Sequence, residues 1–183
     1  MRVKLRAIEE SDLPFLNACR NKYSVSKNLY HYYPKSMEEE KAWFQKKKDE
    51  VHFLIEIDDD VPAGQVSLIH LFHKEKMAEL TIFLDDTYWQ KGYGTAATKL
   101  MLHYAFAELN FHKVYLHVYE GNDRAKAMYE SLGFIQEGIL RDFVFKGGKF
   151  LSAYYLGILK DEFERKADLS GLRETLWYDD GKS

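Results

Sequence analysis

Cysteine is almost missing from this chain, with Cys19 alone among 183 residues. No internal disulfide can form, so a reducing compartment fits and the fold must rest on its own core. Cys19 falls at helical spacing with no obvious general base beside it, and reads as a packed thiol. No apolar run reaches the roughly 18 residues that a membrane span needs. The opening Met1-Arg2-Val3-Lys4-Leu5-Arg6 alternates like a strand where a signal peptide would carry an apolar core. The expectation is a cytoplasmic protein with no membrane partner. Excess positive charge is missing too: 26 Lys and Arg face 29 Asp and Glu, a net charge of −3, so nothing invites nucleic acid. Repeats and linkers are absent. The chain therefore reads as one domain over residues 1–183, with a core over about 3–160 and a C-terminal helix and tail over about 161–183.

What is present is an alternation of short strands and helices. Val3-Lys4-Leu5-Arg6-Ala7-Ile8 alternates apolar and charged positions as a half-buried strand does. Ser11 precedes a helix with Pro14 near its first turn and Leu13, Leu16 and Cys19 at helical spacing. A tyrosine-rich loop, Leu29 to Pro34, follows. Ser36-Met37-Glu38-Glu39 has the spacing of a capping box and predicts a helix to about Lys48. Glu38, Glu39 and Glu40 are expected to be solvated first-turn acids, and Lys46-Lys47-Lys48 a solvated last turn. Three strands are predicted next, Val51 to Ile57, Pro62 to Leu71 and Ala78 to Leu84, with Asp58-Asp59-Asp60 as a turn. His70 and His73 lack a third ligand at a recognisable spacing, so no metal is expected. After a glycine segment, a helix should run to about Leu109, then a strand Lys113 to Tyr119, then a helix capped by Asn122 and ending near Leu132. Phe143 to Phe145 and Phe150 to Leu159 flank the hairpin signal Gly147-Gly148, and Asp161 to Lys166 continues as a charged helix before a frayed end at Tyr178 to Ser183. The result is an α/β domain with antiparallel strands first and one strand–helix–strand crossover around the glycines.

That glycine segment, Tyr88-Trp89-Gln90-Lys91-Gly92-Tyr93-Gly94-Thr95-Ala96-Ala97, is the most informative stretch. Two glycines let backbone N–H groups approach a ligand, and the helix opening behind them adds unsatisfied N–H groups and a positive dipole end, which suits a phosphate or pyrophosphate. Its letters fit the dinucleotide fingerprint, but seven residues separate the strand end at Leu84 from Gly92, and antiparallel-looking strands precede it. A P-loop is excluded because no Gly-Lys-Ser/Thr follows.

A second motif narrows the choice. Asn122-Asp123-Arg124-Ala125-Lys126-Ala127-Met128-Tyr129-Glu130-Ser131-Leu132-Gly133-Phe134 closely resembles the signature of the GNAT N-acetyltransferases, and Gly92-x-Gly94 resembles their acetyl-CoA pyrophosphate loop, with Trp89 where Gln or Arg is usual. Gly133-Phe134, Glu137-Gly138 and Gly147-Gly148 resemble a branch holding spermidine and ribosomal-protein alanine N-acetyltransferases. The resemblance spans roughly residues 3–160 and implies a mixed, mostly antiparallel sheet of about seven strands, splayed between the fourth and fifth and flanked by helices.

The resemblance also implies roles. The backbone of Ile82, Phe83 and Leu84 would meet the pantetheine arm and polarise the thioester. N–H groups of Gln90, Lys91, Gly92, Tyr93, Gly94 and Thr95 would hold the pyrophosphate, and Asn122 would serve as helix cap and cofactor contact. Tyr129 would be the general acid that protonates the leaving thiolate. Glu79, which strand alternation turns toward the acceptor side, is the candidate general base. In this family the loop of Tyr30, His31, Tyr32 and Tyr33 walls the acceptor site, and tyrosine faces attract cationic amines. Acetyl-CoA is thus the expected co-substrate, with direct attack in a ternary complex. A polyamine such as spermidine or spermine is the favoured acceptor. A protein N-terminus, an amino sugar, and a non-enzymatic acetyl-CoA sensor stay open, and the family admits a homo-oligomer.

Overall fold

The computed structural model describes residues 2–30, 33–46, 49–58 and 60–166. Its strands are β1 (Val3–Ala7), β2 (Val51–Ile57), β3 (Val61–Phe72), β4 (Met77–Leu84), β5 (Lys113–Tyr119), β6 (Ile135–Lys146) and β7 (Lys149–Leu159). Its helices are α1 (Leu13–Asn21), α2 (Tyr23–Ser26), α3 (Met37–Gln45), α4 (Tyr93–His103), α5 (Asp123–Leu132) and α6 (Lys160–Lys166). The strands form one sheet ordered β1-β2-β3-β4-β5-β7-β6. Every neighbouring pair is antiparallel except β4 and β5, which run parallel because α4 carries the chain back between them.

Strands β4 and β5 pair only at Met77–Lys113, Ala78–Val114 and Glu79–Tyr115. Beyond Glu79 they part, since each is held by its outer neighbour. Strand β5 stays paired to β7 as far as Tyr119–Ala153, and β4 stays paired to β3 as far as Leu84–Gly64. Gly64 makes the second hold possible. A Cβ at that position would lie 2.1 Å from the Phe83 carbonyl oxygen, so only glycine lets β4 press so closely on β3.

Strand alternation sorts the side chains. Ala78, Leu80 and Leu84 join Val114, Leu116 and Val118 in the main core with Leu100 and Met101 of α4 and Phe134. The intervening Glu79, Thr81, Phe83, Tyr115, His117 and Tyr119 take the opposite face. There Arg20 of α1 grips Glu40 of α3 with two bonds of 2.9 Å and donates to Gln65 of β3 at 2.9 Å. Its guanidinium lies 5.4 Å from the ring centroid of Trp43 and 5.1 Å from that of Phe83. Cys19 is buried, and burial pushes its thiol up to about 12, as befits a packed side chain.

The sheet with its splay matches the expected architecture, with four differences. Glu40 is 0% exposed rather than solvated, because Arg20 supplies its counter-charge; the Ser36–Glu39 capping box forms as expected. Strand β6 has 12 residues, far more than Phe143–Phe145. Its register shifts at Gln136/Gly138 and Leu140/Val144 break the alternation that would have revealed it. The α4 helix gives way to a π-helical turn over Tyr104–Glu108, and the short α2 was not foreseen. Asp59, Lys47, Lys48 and residues 167–183, including the end at Tyr178 to Ser183, lie outside the described residues.

Removing Glu40 would leave Arg20 charged and buried. Glu40→Ala should therefore lose about 3–5 kcal/mol in urea unfolding, whereas exposed Glu38→Ala should stay within about 0.5 kcal/mol of the parent. Equal, small losses would contradict the load assigned to this pair.

Candidate active site

A cavity of about 850 Å³ opens where β4 and β5 separate. One wall is the β4 stretch Glu79 to Leu84; the other is Tyr115, His117, Val118 and Tyr119 of β5. Helix α5 closes one side with Arg124, Ala125, Met128 and Tyr129, while Val25, Asn28, Leu29 and Tyr30 cover another.

The loop before α4 has the geometry of an anion cradle. Gln90 (φ 61°) and Gly92 (φ 84°) are both left-handed, and Gly92 is the N-cap of an 11-residue helix whose first N–H groups lack intrahelical partners. Trp89 fastens this loop to the sheet: its Nε1 donates to the Leu84 carbonyl at 3.0 Å. Arg124 stacks 4.0 Å above the Trp89 ring, bringing a cation to the same loop. An anionic, elongated ligand fits this edge, since β4 presents backbone from Leu80 to Leu84 that β5 does not pair.

Tyr129 is buried and edge-on to Phe134, with centroids 5.5 Å apart. The left-handed Gly133 ends α5 and lets the Phe134 N–H return to the Tyr129 carbonyl at 3.1 Å. Burial pushes the Tyr129 phenol well above its ordinary range, so the hydroxyl keeps its proton at neutral pH.

Across the gap, Glu79 receives one imidazole on each oxygen: His117 Nδ1 at 2.8 Å from Oε1 and His70 Nδ1 at 2.8 Å from Oε2. Burial works to raise this carboxyl, but the hydrogen bonds from His117 and His70 prevail and hold it below the usual carboxylate range. Around it stands an aromatic wall. Tyr115 stacks on Tyr155 at 5.2 Å, His117 stacks on Phe143 at 5.3 Å, and Tyr30 lies 6.1 Å from Phe143. Burial, followed by the nearby Glu79 charge, pushes the Tyr115 phenol up to about 12.

Of the residues expected from sequence, Glu79, Ile82, Phe83, Leu84, Gln90, Gly94, Asn122, Tyr129 and Tyr30 all line this cavity. Lys91, Gly92, Tyr93 and Thr95 belong to the loop and helix start without lining it; the Tyr93 hydroxyl turns away to Asp58 at 2.5 Å. Tyr33 is 80% exposed and off the cavity. Tyr32 and His31 lie outside the described residues. Asn122 holds the N-cap position but makes no side-chain capping bond, contrary to expectation; its ψ of 54° departs from the extended conformation such a cap needs. Sequence reasoning passed over His117, Tyr115 and Arg124. The first two could have been found, because parallel pairing and a period of two place them on the Glu79 face.

Among the described residues, no group of three His, Cys, Asp or Glu side chains could hold a metal ion, and no helix is long and apolar enough to cross a membrane. A family model described as the acetyltransferase (GNAT) domain matches residues 2–135. Spermidine N(1)-acetyltransferase of Escherichia coli K12 is 32% identical over 164 residues, 88% of each chain. A putative ribosomal N-acetyltransferase of Bacillus subtilis is 33% identical over 56% of each. The crystal structure of the Vibrio cholerae spermidine N-acetyltransferase in complex with CoA and spermine superposes with a TM-score of 0.85 at 28% identity, covering 89% of this chain and 98% of that one. The parted sheet, the glycine cradle and the Tyr129 helix thus agree with the sequence relationship: this chain belongs to the GNAT family and is an N-acetyltransferase.

Proposed function

We propose that this enzyme acetylates a primary amine of a polyamine such as spermidine or spermine, using acetyl-CoA in a ternary complex with no covalent acetyl-enzyme. The observation that carries the acceptor reading is Glu79, a largely buried carboxylate kept ionised beneath an aromatic wall. Such a site attracts an ammonium by charge and by aromatic faces, each face contributing about 0.5–2 kcal/mol. The relatives that act on spermidine, and the one solved with CoA and spermine, support the same reading.

Bound acetyl-CoA supplies an acetyl group on a thioester, activated toward an amine. The protein's share is binding and proton control. The open edge of β4 at Ile82, Phe83 and Leu84 offers backbone groups along the pantetheine, and an N–H there polarises the acyl carbonyl. The N–H groups from Gln90 to Thr95 receive the pyrophosphate. Asn122, on the cavity wall, adds a polar contact. Tyr129 donates its proton to the departing sulfur. Burial makes a phenolate costly, but the same dry surroundings make the thiolate more basic, so the proton still moves toward sulfur. Glu79 and the rings of Tyr30 and Tyr115 hold the acceptor ammonium where its proton can be removed.

Thiol release with spermidine and spermine should exceed that with an N-terminal Ala or Ser peptide or an amino sugar. Preference for the peptide would overturn the polyamine assignment, and absence of turnover with every amine would favour a sensor. Tyr129→Phe should lower kcat by about 100-fold or more while calorimetry finds CoA affinity nearly unchanged. A parental kcat would remove Tyr129 from the chemistry. Gly92→Glu puts a carboxylate in a left-handed cradle, a strain of about 1–2 kcal/mol for an L-residue. It should abolish CoA binding with the circular dichroism spectrum intact; unchanged binding would place the diphosphate elsewhere.

A further inference from the structure

We infer that His117 Nε2 is the atom that takes the proton from the acceptor ammonium, with Glu79 and His70 as positioning residues. The inference rests on the amine-acetylating reading above and deepens it. Each Glu79 oxygen already takes a hydrogen bond of 2.8 Å from an imidazole, which spends one lone pair on each and makes the carboxylate a weaker base toward the ammonium. An ionised carboxylate only accepts, so each histidine must carry its hydrogen on Nδ1. In the neutral ring the lone pair then sits on Nε2. An imidazole is also about two pH units more basic than a carboxylate to begin with, which brings it closer to the amine it must deprotonate.

The two histidines are not equivalent. Both line the cavity, but His117 is mostly enclosed, stacks on Phe143 and meets the Tyr155 ring edge-on at 5.1 Å. Its plane is therefore set from two sides. His70 is 62% exposed and sits at φ 46° in the irregular stretch of β3 between Ile69 and Phe72. That uncommon backbone geometry accompanies its bond to Glu79. His70 and His117 thus clamp the carboxylate from opposite oxygens, and Glu79 in turn fixes the tautomer of His117. Other polar groups around His117 are Tyr115 on its own strand and Tyr155 on β7. Lys113 lies over the Tyr155 ring at 5.8 Å and Lys146 over the Tyr119 ring at 5.6 Å. Strand β6 meets the imidazole with uncharged Phe143.

Proton and electron count close. One N–H bond of the ammonium breaks and an Nε2–H bond forms, leaving the pair on nitrogen. That pair bonds the acyl carbon as the carbon–sulfur pair departs with sulfur, and the Tyr129 proton completes the thiol. The new amide nitrogen loses its second hydrogen, which restores Tyr129 through solvent, and His117 returns its proton to water. The net change is one proton released for each ammonium acetylated.

Two measurements test this. In the unliganded protein at pH 8, ¹⁵N imidazole spectra should show His117 with hydrogen on Nδ1 and a bare Nε2; the opposite tautomer would overturn the inference whatever the substrate proves to be. With spermine, parental kcat/KM should rise with pH and level off well below the amine's own pKa of about 10. In His117→Gln the rate should fall by about 100-fold and keep climbing toward that pKa, with CoA affinity unchanged. Glu79→Gln should lower the rate but still level off. If His117→Gln levels off while Glu79→Gln does not, Glu79 is the base and the inference fails. Failure of the parent to acetylate spermine would instead strike the acceptor assignment and leave the tautomer result standing.

Discussion

Everything at this site depends on two parallel strands that pair for three residues and then separate. Backbone groups inside a protein need partners, and an open strand edge ordinarily recruits another strand. Here β4 cannot close on β5, because β3 holds the end of β4 at Gly64 and β7 holds β5 along its whole length. The gap is therefore a consequence of sheet register and not of a flexible loop. Its edge has hydrogen-bonding groups to offer a ligand whose own amides can play the part of a strand. Tyr129 stands on the α5 side of this gap, and Glu79 with His117 stands on the opposite face, so a protonated phenol and a histidine-bound carboxylate flank one opening.

The surrounding polar contacts keep that opening in shape. Arg20, Glu40 and Gln65 bind α1, α3 and β3 together beneath Phe83, which itself lines the cavity. The cover formed by Val25, Asn28, Leu29 and Tyr30 is tied at two further points. Lys22 bonds Asp85 at 2.6 Å and Asp86 at 2.9 Å, and Ser24 with Lys22 holds the Asp86 carboxyl down to about 2. From the other direction, the Lys146 ammonium is received by the carbonyls of Ser26 and Leu29. The segment that carries Val25, Leu29 and Tyr30 over the cavity is thus anchored both to the turn after β4 and to the β6–β7 hairpin.

Much of this was legible in the sequence, for reasons that differ by residue. The Asn122 to Phe134 helix could be read because a left-handed glycine and a following aromatic mark a helix end chemically. The cradle could be read because Gly92 and Gly94 open a helix. Glu79 was singled out by strand alternation together with the family resemblance. Its two histidine partners were not assigned: His70 depends on an irregular stretch of β3, and His117, although alternation along β5 puts it on the Glu79 face, sits on a neighbour that arrives through a crossover helix. Glu40 looked like a solvated acid because its partner, Arg20, lies 20 residues earlier on another helix. Trp89 looked like a departure from a motif, and in space it is the residue that bonds the loop to β4 and stacks with Arg124. Local chemistry was readable; side chains whose roles depend on distant partners were not.

The central claim is that the unpaired edge of β4 is a binding surface, which amide hydrogen exchange with and without saturating CoA tests most directly. Protection should increase across Leu80 to Leu84 and at the Gln90 to Thr95 cradle, with little change along β1 and β2. Protection confined to the cradle, with Leu80 to Leu84 exchanging as fast as before, would contradict the claim.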